Sequence, residues 1–370
     1  MKRKLIIIAL LLIVTVNIVS CDEIENIIDP YIKETVTETE TETEEVTEAV
    51  TQAEGPKYFD PITAEPTDRD LSTSRPIAVV VKNDRKAAPQ YGLSNAAVLY
   101  EALVEGGMTR FLAIYSDASL VKKVGPVIDS RAYFFDFAAN HNAVLAQAGS
   151  TANGNSVMSA RGIKVLDAIS GEMSPGFYRD ELLNMARGYE NSVVTEENGL
   201  GARASQYGIS LKAVNPVSPY TTLDYMKNRE MNGKYCTYLS IPFSANMTIE
   251  YTYSTLSNKY SRVQYDEPHI DAINGKQLSF TNIIILSIDH NVIDNTTGEM
   301  NISDSGTGTG YYVYGGSCIQ IKWQRTDGTN PIRLFEEDGL TPLQVSSGNT
   351  YIAVVSPRTV GKIKFEKAAS

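Results

Sequence analysis

A chain of 370 residues with 44 Asp and Glu against 33 Lys and Arg carries a net charge of −11. That balance excludes the basic surplus on which general nucleic-acid binding depends, so no nucleic-acid partner is expected. Three histidines and three cysteines, with no Cys-x-x-Cys or His-Glu-x-x-His spacing, form no zinc motif, and neither a metal nor a cofactor is expected.

The chain opens with Met1-Lys2-Arg3-Lys4, an apolar run over 5–16, and then Ile18-Val19-Ser20-Cys21. A short basic stretch before an apolar core reads as a secretion signal over 1–21, because a membrane span needs about 20 apolar residues. The residues before the cysteine resemble the lipobox of bacterial lipoproteins. That likeness implies that Cys21 receives a diacylglyceryl group and becomes the first residue of the mature chain, held at the outer face of the cytoplasmic membrane. Two acyl chains anchor stably where one is marginal. An uncleaved anchor that happens to contain a cysteine is the alternative.

Residues 22–54 hold twelve acidic side chains against one lysine, largely as alternating Thr and Glu. Such a tract has too little apolar surface to offset chain entropy and repels itself, so 22–74 reads as a disordered acidic stalk. A coil of roughly 50 residues reaches on the order of 40 Å. The signal contributes three positive charges and the tract a net eleven negative ones, which leaves residues 55–370 at −3.

From 75 to 218 short apolar runs alternate with helical patterns. The runs 77–81, 98–104, 111–115 and 143–148 predict strands, and 130–140 and 195–207 predict helices, the first with Ser130 as N-cap. Alternation of this kind predicts an α/β domain. After a junction at 219–234, residues 235–361 read as closely spaced strands divided by Asn-Gly and Asp-Gly turns, a mostly antiparallel β domain, followed by a tail at 362–370. The expected class is thus α/β followed by β, or α+β for the whole. Cys236 and Cys318 fall in separate strands. Two buried free thiols are the plainer reading, and a disulfide remains open.

Several blocks carry a family resemblance: Arg75-Pro76-Ile77-Ala78-Val79-Val80-Val81-Lys82-Asn83-Asp84, Pro89-Gln90-Tyr91-Gly92-Leu93-Ser94, the stretch from Tyr100 through Glu105-Gly106-Gly107-Met108-Thr109-Arg110-Phe111, and Gly125-Pro126-Val127. They resemble the YerB-like lipoprotein family, built of two domains of unknown function. Weaker motifs extend the likeness to the second half: Tyr260-Ser261-Arg262, His269-x-Asp271, Gly306-Thr307-Gly308 and Ile321-Lys322-Trp323. The resemblance implies an extracytoplasmic lipoprotein of a Gram-positive-type bacterium and no particular activity. The chain also departs from the pattern. Ile128 stands where the first of two arginines is expected, leaving Arg131, and Gln147 stands where histidine is expected. Tyr189-Glu190-Asn191 occupies the place of a Pro-His-Asn-like element.

Glu101 and Glu105, four apart, share a face in a helix or a strand. Paired carboxylates raise one another's pKa and serve acid–base chemistry, glycosidic cleavage included. Arg110, beyond the Gly106-Gly107 turn, can instead neutralise them in a purely structural pair. Arg131, at an expected helix start, suits an anion, or else pairs with Asp129 or Asp136. Ser150, in Gly149-Ser150-Thr151 after a buried run, lies where open α/β sheets bind ligands, without the Gly-x-Ser-x-Gly setting of a nucleophile. Arg179 lines the same cleft or pairs with Asp180. His141 reads as exposed, His269 and Asp271 as a bonded pair, and Gly306-Thr307-Gly308-Thr309-Gly310 as a flexible loop.

The expectation is an envelope binding or accessory module. Its anion- or glycan-binding cleft would be formed by Glu101, Glu105, Arg110, Arg131, Ser150 and Arg179, and its partner would be wall polymer or another envelope protein. A hydrolase or phosphotransferase acting on wall polymer, and a scaffold for other envelope proteins, are the alternatives.

Overall fold

The computed structural model describes residues 55–213, 223–226, 229–328 and 330–368. The signal, Cys21 and most of the acidic stalk lie outside them. In chain order the strands are β1 (Tyr58–Phe59), β2 (Pro66–Thr67), β3 (Ile77–Asn83), β4 (Val98–Leu103), β5 (Thr109–Tyr115), β6 (Val144–Gln147), β7 (Leu166–Asp167), β8 (Phe177–Arg179), β9 (Val193–Thr195), β10 (Asp224–Met226), β11 (Lys234–Tyr235), β12 (Tyr238–Pro242) and β13 (Thr248–Ser254). They continue as β14 (Lys259–Gln264), β15 (Glu267–Pro268), β16 (Ser279–Phe280), β17 (Asn282–Ser287), β18 (His290–Asp294), β19 (Glu299–Ile302), β20 (Gly306–Tyr314), β21 (Ser317–Arg325), β22 (Arg333–Glu336), β23 (Gln344–Ser346), β24 (Thr350–Val355) and β25 (Lys364–Glu366). The α-helices are α1 (Ala132–Ala139), α2 (Ala152–Arg161), α3 (Glu181–Arg187), α4 (Gly199–Gln206) and α5 (Pro357–Val360).

Helices and mixed strands occupy the first half and antiparallel strands dominate the second, the α/β-then-β class that the hydrophobic pattern predicts. The halves nevertheless share one sheet. Eleven strands follow the order β11-β21-β20-β17-β24-β4-β5-β3-β6-β7, with β22 beside β21. The seam is the parallel pairing of β24 with β4, which sets Ile352 opposite Tyr100 and Ala353 opposite Glu101. The two regions with different sequence patterns therefore belong to one compact unit over residues 54–370.

Alternation along each strand sends its side chains to two cores. In β3, Ile77, Val79 and Val81 join a cluster with Leu239, Ile249, Tyr251 and Phe280 of the second sheet, ordered β15-β14-β13-β12-β25. Ala78 and Val80 face the other way, to Tyr133, Phe134 and Phe137 of α1. A strand buried on both faces needs an apolar residue at nearly every position, which explains the unbroken run at 77–81.

The structure moves several expected boundaries. Ile62 and Leu71 are buried, and β1 pairs with β2, so ordered chain begins well before Arg75. The expected junction contributes β10, paired with β23, and β11; the expected tail contributes β25, paired with β12. Ser130 is not the N-cap of α1. Arg131 holds that position, in extended backbone and without a side-chain cap, while the Ser130 hydroxyl donates to Gln147 Oε1 at 2.5 Å. The second expected helix starts only at Gly199, since Val193-Val194-Thr195 is β9. The glycine run 306–310 is strand, not loop: a Cβ on Gly308 would meet Trp323 Nε1 at 2.4 Å, so glycine there admits the indole. His141 is fully buried, with Nε2 at 2.9 Å from the Tyr100 hydroxyl.

Candidate functional site

The hairpin β4–β5 fixes which expected site residues can meet. Glu101 lies opposite Phe111, and Ala102 opposite Arg110. Directly opposed residues share a face and neighbours alternate, so Glu101 and Arg110 point to opposite sides of the sheet. Glu105 has left the strand for the turn at Glu105–Gly107, where Gly106 and Gly107 take positive φ of 68° and 72°. The two glutamates thus share no face, because the regular structure ends between them.

Glu101 is fully buried between the sheets. Oε1 accepts hydrogen bonds from Asn83 Nδ2 at 2.9 Å and Thr109 Oγ1 at 2.6 Å. Oε2 accepts from the Tyr351 hydroxyl at 2.6 Å and pairs with Arg262 Nη2 at 2.9 Å. Arg262 donates onward to Tyr251, Gln264 and His269 Nδ1, and His269 Nε2 meets Gln90 Oε1 at 2.7 Å. Because Nδ1 accepts, Nε2 carries the proton. Burial, reinforced by the Arg262 charge, holds the His269 pKa well below its ordinary value. Burial alone would lower the Arg262 pKa, but the Glu101 carboxylate together with Tyr251 and Tyr351 outweighs it and holds it raised. Every lone pair of Glu101 has a donor, which suits a structural tie better than proton transfer. Asp271 does not bond His269; it accepts from the amides of Gly92 and Ser94.

On the other face, Glu105 receives Arg131 in a two-pronged pair, Nε to Oε1 at 2.7 Å and Nη2 to Oε2 at 2.5 Å. Asp129 bridges Arg131, at 2.5 Å, to Arg110, at 3.0 Å. Burial pushes both carboxyls up, but the guanidiniums dominate and hold Glu105 and Asp129 below their usual range. Two cations and two anions cancel here. The Ser150 hydroxyl lies 3.2 Å from that of Ser130. Arg179 stands apart: it donates to Tyr189 O and Ser192 Oγ and lies 3.4 Å from the Tyr189 ring centre. Asp180 pairs with Lys123 rather than Arg179. Of the six expected site residues, the structure joins Glu105, Arg110 and Arg131, sets Ser150 against Ser130, and places Glu101 and Arg179 elsewhere.

A groove of about 610 Å³, lined by Lys82, Asp84, Arg85, Lys86, Met108, Arg187 and residues 188–191, lies next to this cluster. In the sheet Lys82 is opposite Arg110. Four cations face two anions, Asp84 and Glu190, both of which pair with Lys82, at 3.2 and 3.3 Å. Arg85 and Lys86 are exposed, and Arg187 donates to Ala87 O and Pro89 O. Arg85 also stacks 4.6 Å over Tyr265 and lines a second, largely apolar cavity of about 270 Å³. Sequence reasoning missed this groove. The signal was Lys82-Asn83-Asp84-Arg85-Lys86, three bases in five residues directly after the apolar run 77–81. A cavity of about 720 Å³ at the opposite end of the sheet, beside Arg75, Arg161 and Lys164, precedes the strands rather than following them.

Residues 62–210 match the N-terminal domain, and 239–352 the C-terminal domain, of a family described as a protein of unknown function, DUF3048. The chain belongs to the DUF3048 family. It is 28% identical over 272 residues to a Bacillus subtilis (strain 168) protein named "Putative lipoprotein YerB", covering 72% of this chain and 78% of that one. It is also similar to the crystal structure of YerB from Bacillus subtilis, with a TM-score of 0.72 and 27% identity over 84% of this chain and 100% of that chain. The likeness agrees with the mixed first half and antiparallel second half of the fold.

Proposed function

We propose that this DUF3048 protein is a lipid-anchored binding module of the cell envelope, tethered through Cys21 at the outer face of the cytoplasmic membrane, and that the Lys82–Arg187 groove takes an anionic wall polymer. The observation that carries the reading is the groove's excess of cations on a folded body that is itself net negative. Its position supports this, since open α/β sheets bind ligands beyond the carboxyl ends of their strands. The groove's volume falls within the usual range for ligand sites. The neutral Glu105–Arg131–Asp129–Arg110 cluster braces the adjacent hairpin. The hydrolase reading lacks its pair of free carboxylates, because Glu101 and Glu105 are each tied to an arginine on opposite sides of the sheet. Titration of purified anionic wall polymer at low and high salt tests the proposal. Affinity should fall as salt rises, as it does for exposed charge pairs. Absent or salt-independent binding overturns it.

A further inference from the structure

The apolar cavity of about 270 Å³ takes its walls from both family domains: Arg85, Ala88 and Pro89 from the first, Tyr265, Pro268 and Ile270 from the second. Ligand sites favour such junctions. The loop after β3 is held to the β14–β15 hairpin by Gln264 Nε2, which donates to Asn83 Oδ1 at 2.7 Å, and by His269 Nε2, which donates to Gln90 Oε1 at 2.7 Å. Gln264 Oε1 and His269 Nδ1 both accept from Arg262. The polar atoms of these two lining side chains are therefore spent, and the surface left to a ligand is mainly apolar. Glu267 brings the one carboxylate among the lining residues, and it is exposed. Register sets Gln264 opposite Glu267, so Tyr265 and Asp266 make the whole turn between β14 and β15. Both take left-handed φ, 58° and 63°. A turn of this kind favours Asn-Gly, and a bulky aromatic is strained in it. Such strain clusters at ligand sites. Here it sets Tyr265 in the cavity wall, with the Arg85 guanidinium 4.6 Å over the ring. Arg85 also lines the basic groove, so groove and cavity meet at one cation.

We infer that groove and cavity form one site for the lipid-linked end of the anionic polymer, a phosphate ester whose charge lies against Arg85 and Lys86 and whose hydrocarbon chain enters the cavity. The inference rests on the proposed reading of the groove and narrows it from the polymer to one end of it. Charge and polarity set the orientation. Apolar walls gain nothing from a polyol, whereas a chain removes them from water. The cations bordering the cavity on the groove side suit the phosphate, and the exposed Glu267 keeps it from the other side. At about 30 Å³ for each water-sized group, the cavity seats roughly nine, so it accepts a single chain over a limited length.

Anionic wall polymer that retains its lipid should bind the full-length protein at least roughly tenfold tighter than the same polymer stripped of lipid. Equal affinity overturns the inference and leaves the groove standing. Where neither form binds, the polymer reading fails, and a series of linear alkyl phosphates below their micelle concentrations decides the cavity by itself. Affinity should rise about threefold to fourfold for each added methylene, with inorganic phosphate weakest, and level off once the cavity is full. Affinity indifferent to chain length overturns the inference. Soluble short-chain phosphatidylglycerol should bind more weakly than octyl phosphate, since one cavity seats one chain; equal or tighter binding makes a bilayer phospholipid the ligand and contradicts the proposal. Tyr265→Asn, which suits the left-handed turn, should keep a single cooperative unfolding transition and its affinity for inorganic phosphate while losing the chain-length dependence. Ala88→Phe, which fills the cavity, should do the same. Chain-length dependence that survives both substitutions overturns the assignment of the cavity.

Discussion

Glu101 of β4 and Arg262 of β14 form an ion pair at 2.9 Å, with neither side chain exposed. It ties the shared sheet to the sheet packed against it and links the two family domains.

Removing one partner strands the other charge in the core. Arg262→Met should destabilise the protein by about 3–5 kcal/mol, more than an exposed pair is worth. Glu101→Gln/Arg262→Met should cost less than the two single changes added together, because neither charge then remains. Urea unfolding of the four proteins measures that coupling, and strict additivity would show the pair to be energetically idle.

Burial pushes His141 down to about 3 from its ordinary 6.5. It is neutral when folded and takes a proton on unfolding in mild acid. Its contribution to stability is therefore complete above about pH 6.5 and is lost as pH falls toward the folded value, at about 1.4 kcal/mol per pH unit. His141→Gln should flatten the stability–pH curve between pH 6 and 4 by about that slope. An unchanged slope in denaturant titrations would mean that the ring is charged in the fold.

The single tryptophan, Trp323, is buried and donates from Nε1 to Ser287 O at 3.0 Å. Gly308→Ala places a methyl group against the indole and should cost about 1–3 kcal/mol. Tryptophan emission reports both the displaced ring and the lower unfolding midpoint. A neutral change would mean that β20 and β21 yield more easily than their register implies.

At the amino end, Cys21→Ala should leave the chain uncleaved or released from the membrane. Intact-mass analysis of the membrane fraction checks this, and an unmodified Cys21 in wild-type protein would refute the anchor.

Much of the scaffold was legible locally. The apolar run of β3 and the Gly106-Gly107 hairpin are short-range signals, and each falls where expected. Other features have no local signature. Parallel insertion of β24 beside β4 joins residues 252 positions apart, and Glu101 finds Arg262 across a gap that no periodicity records. Helix α2, Ala-Asn-Gly-Asn-Ser-Val-Met-Ser-Ala-Arg, buries only Gly154, so it shows no apolar stripe. Glu105 escaped the face-sharing rule because β4 ends at Leu103, before it, and Glu105 stands in the glycine turn. The basic groove was visible as a cluster of charges, but only the fold brings Arg187 to Lys82.

The groove is tested most directly by one calorimetric titration of anionic wall polymer into three full-length proteins: parent, Arg85→Glu/Lys86→Glu and, as a control exposed on β22 and remote from β3 in the sheet order, Arg333→Ala. The proposed groove requires binding by the parent, at least roughly tenfold weaker binding by the charge-reversed variant, and unchanged binding by Arg333→Ala. No binding by the parent, or equal affinity across all three, would contradict it.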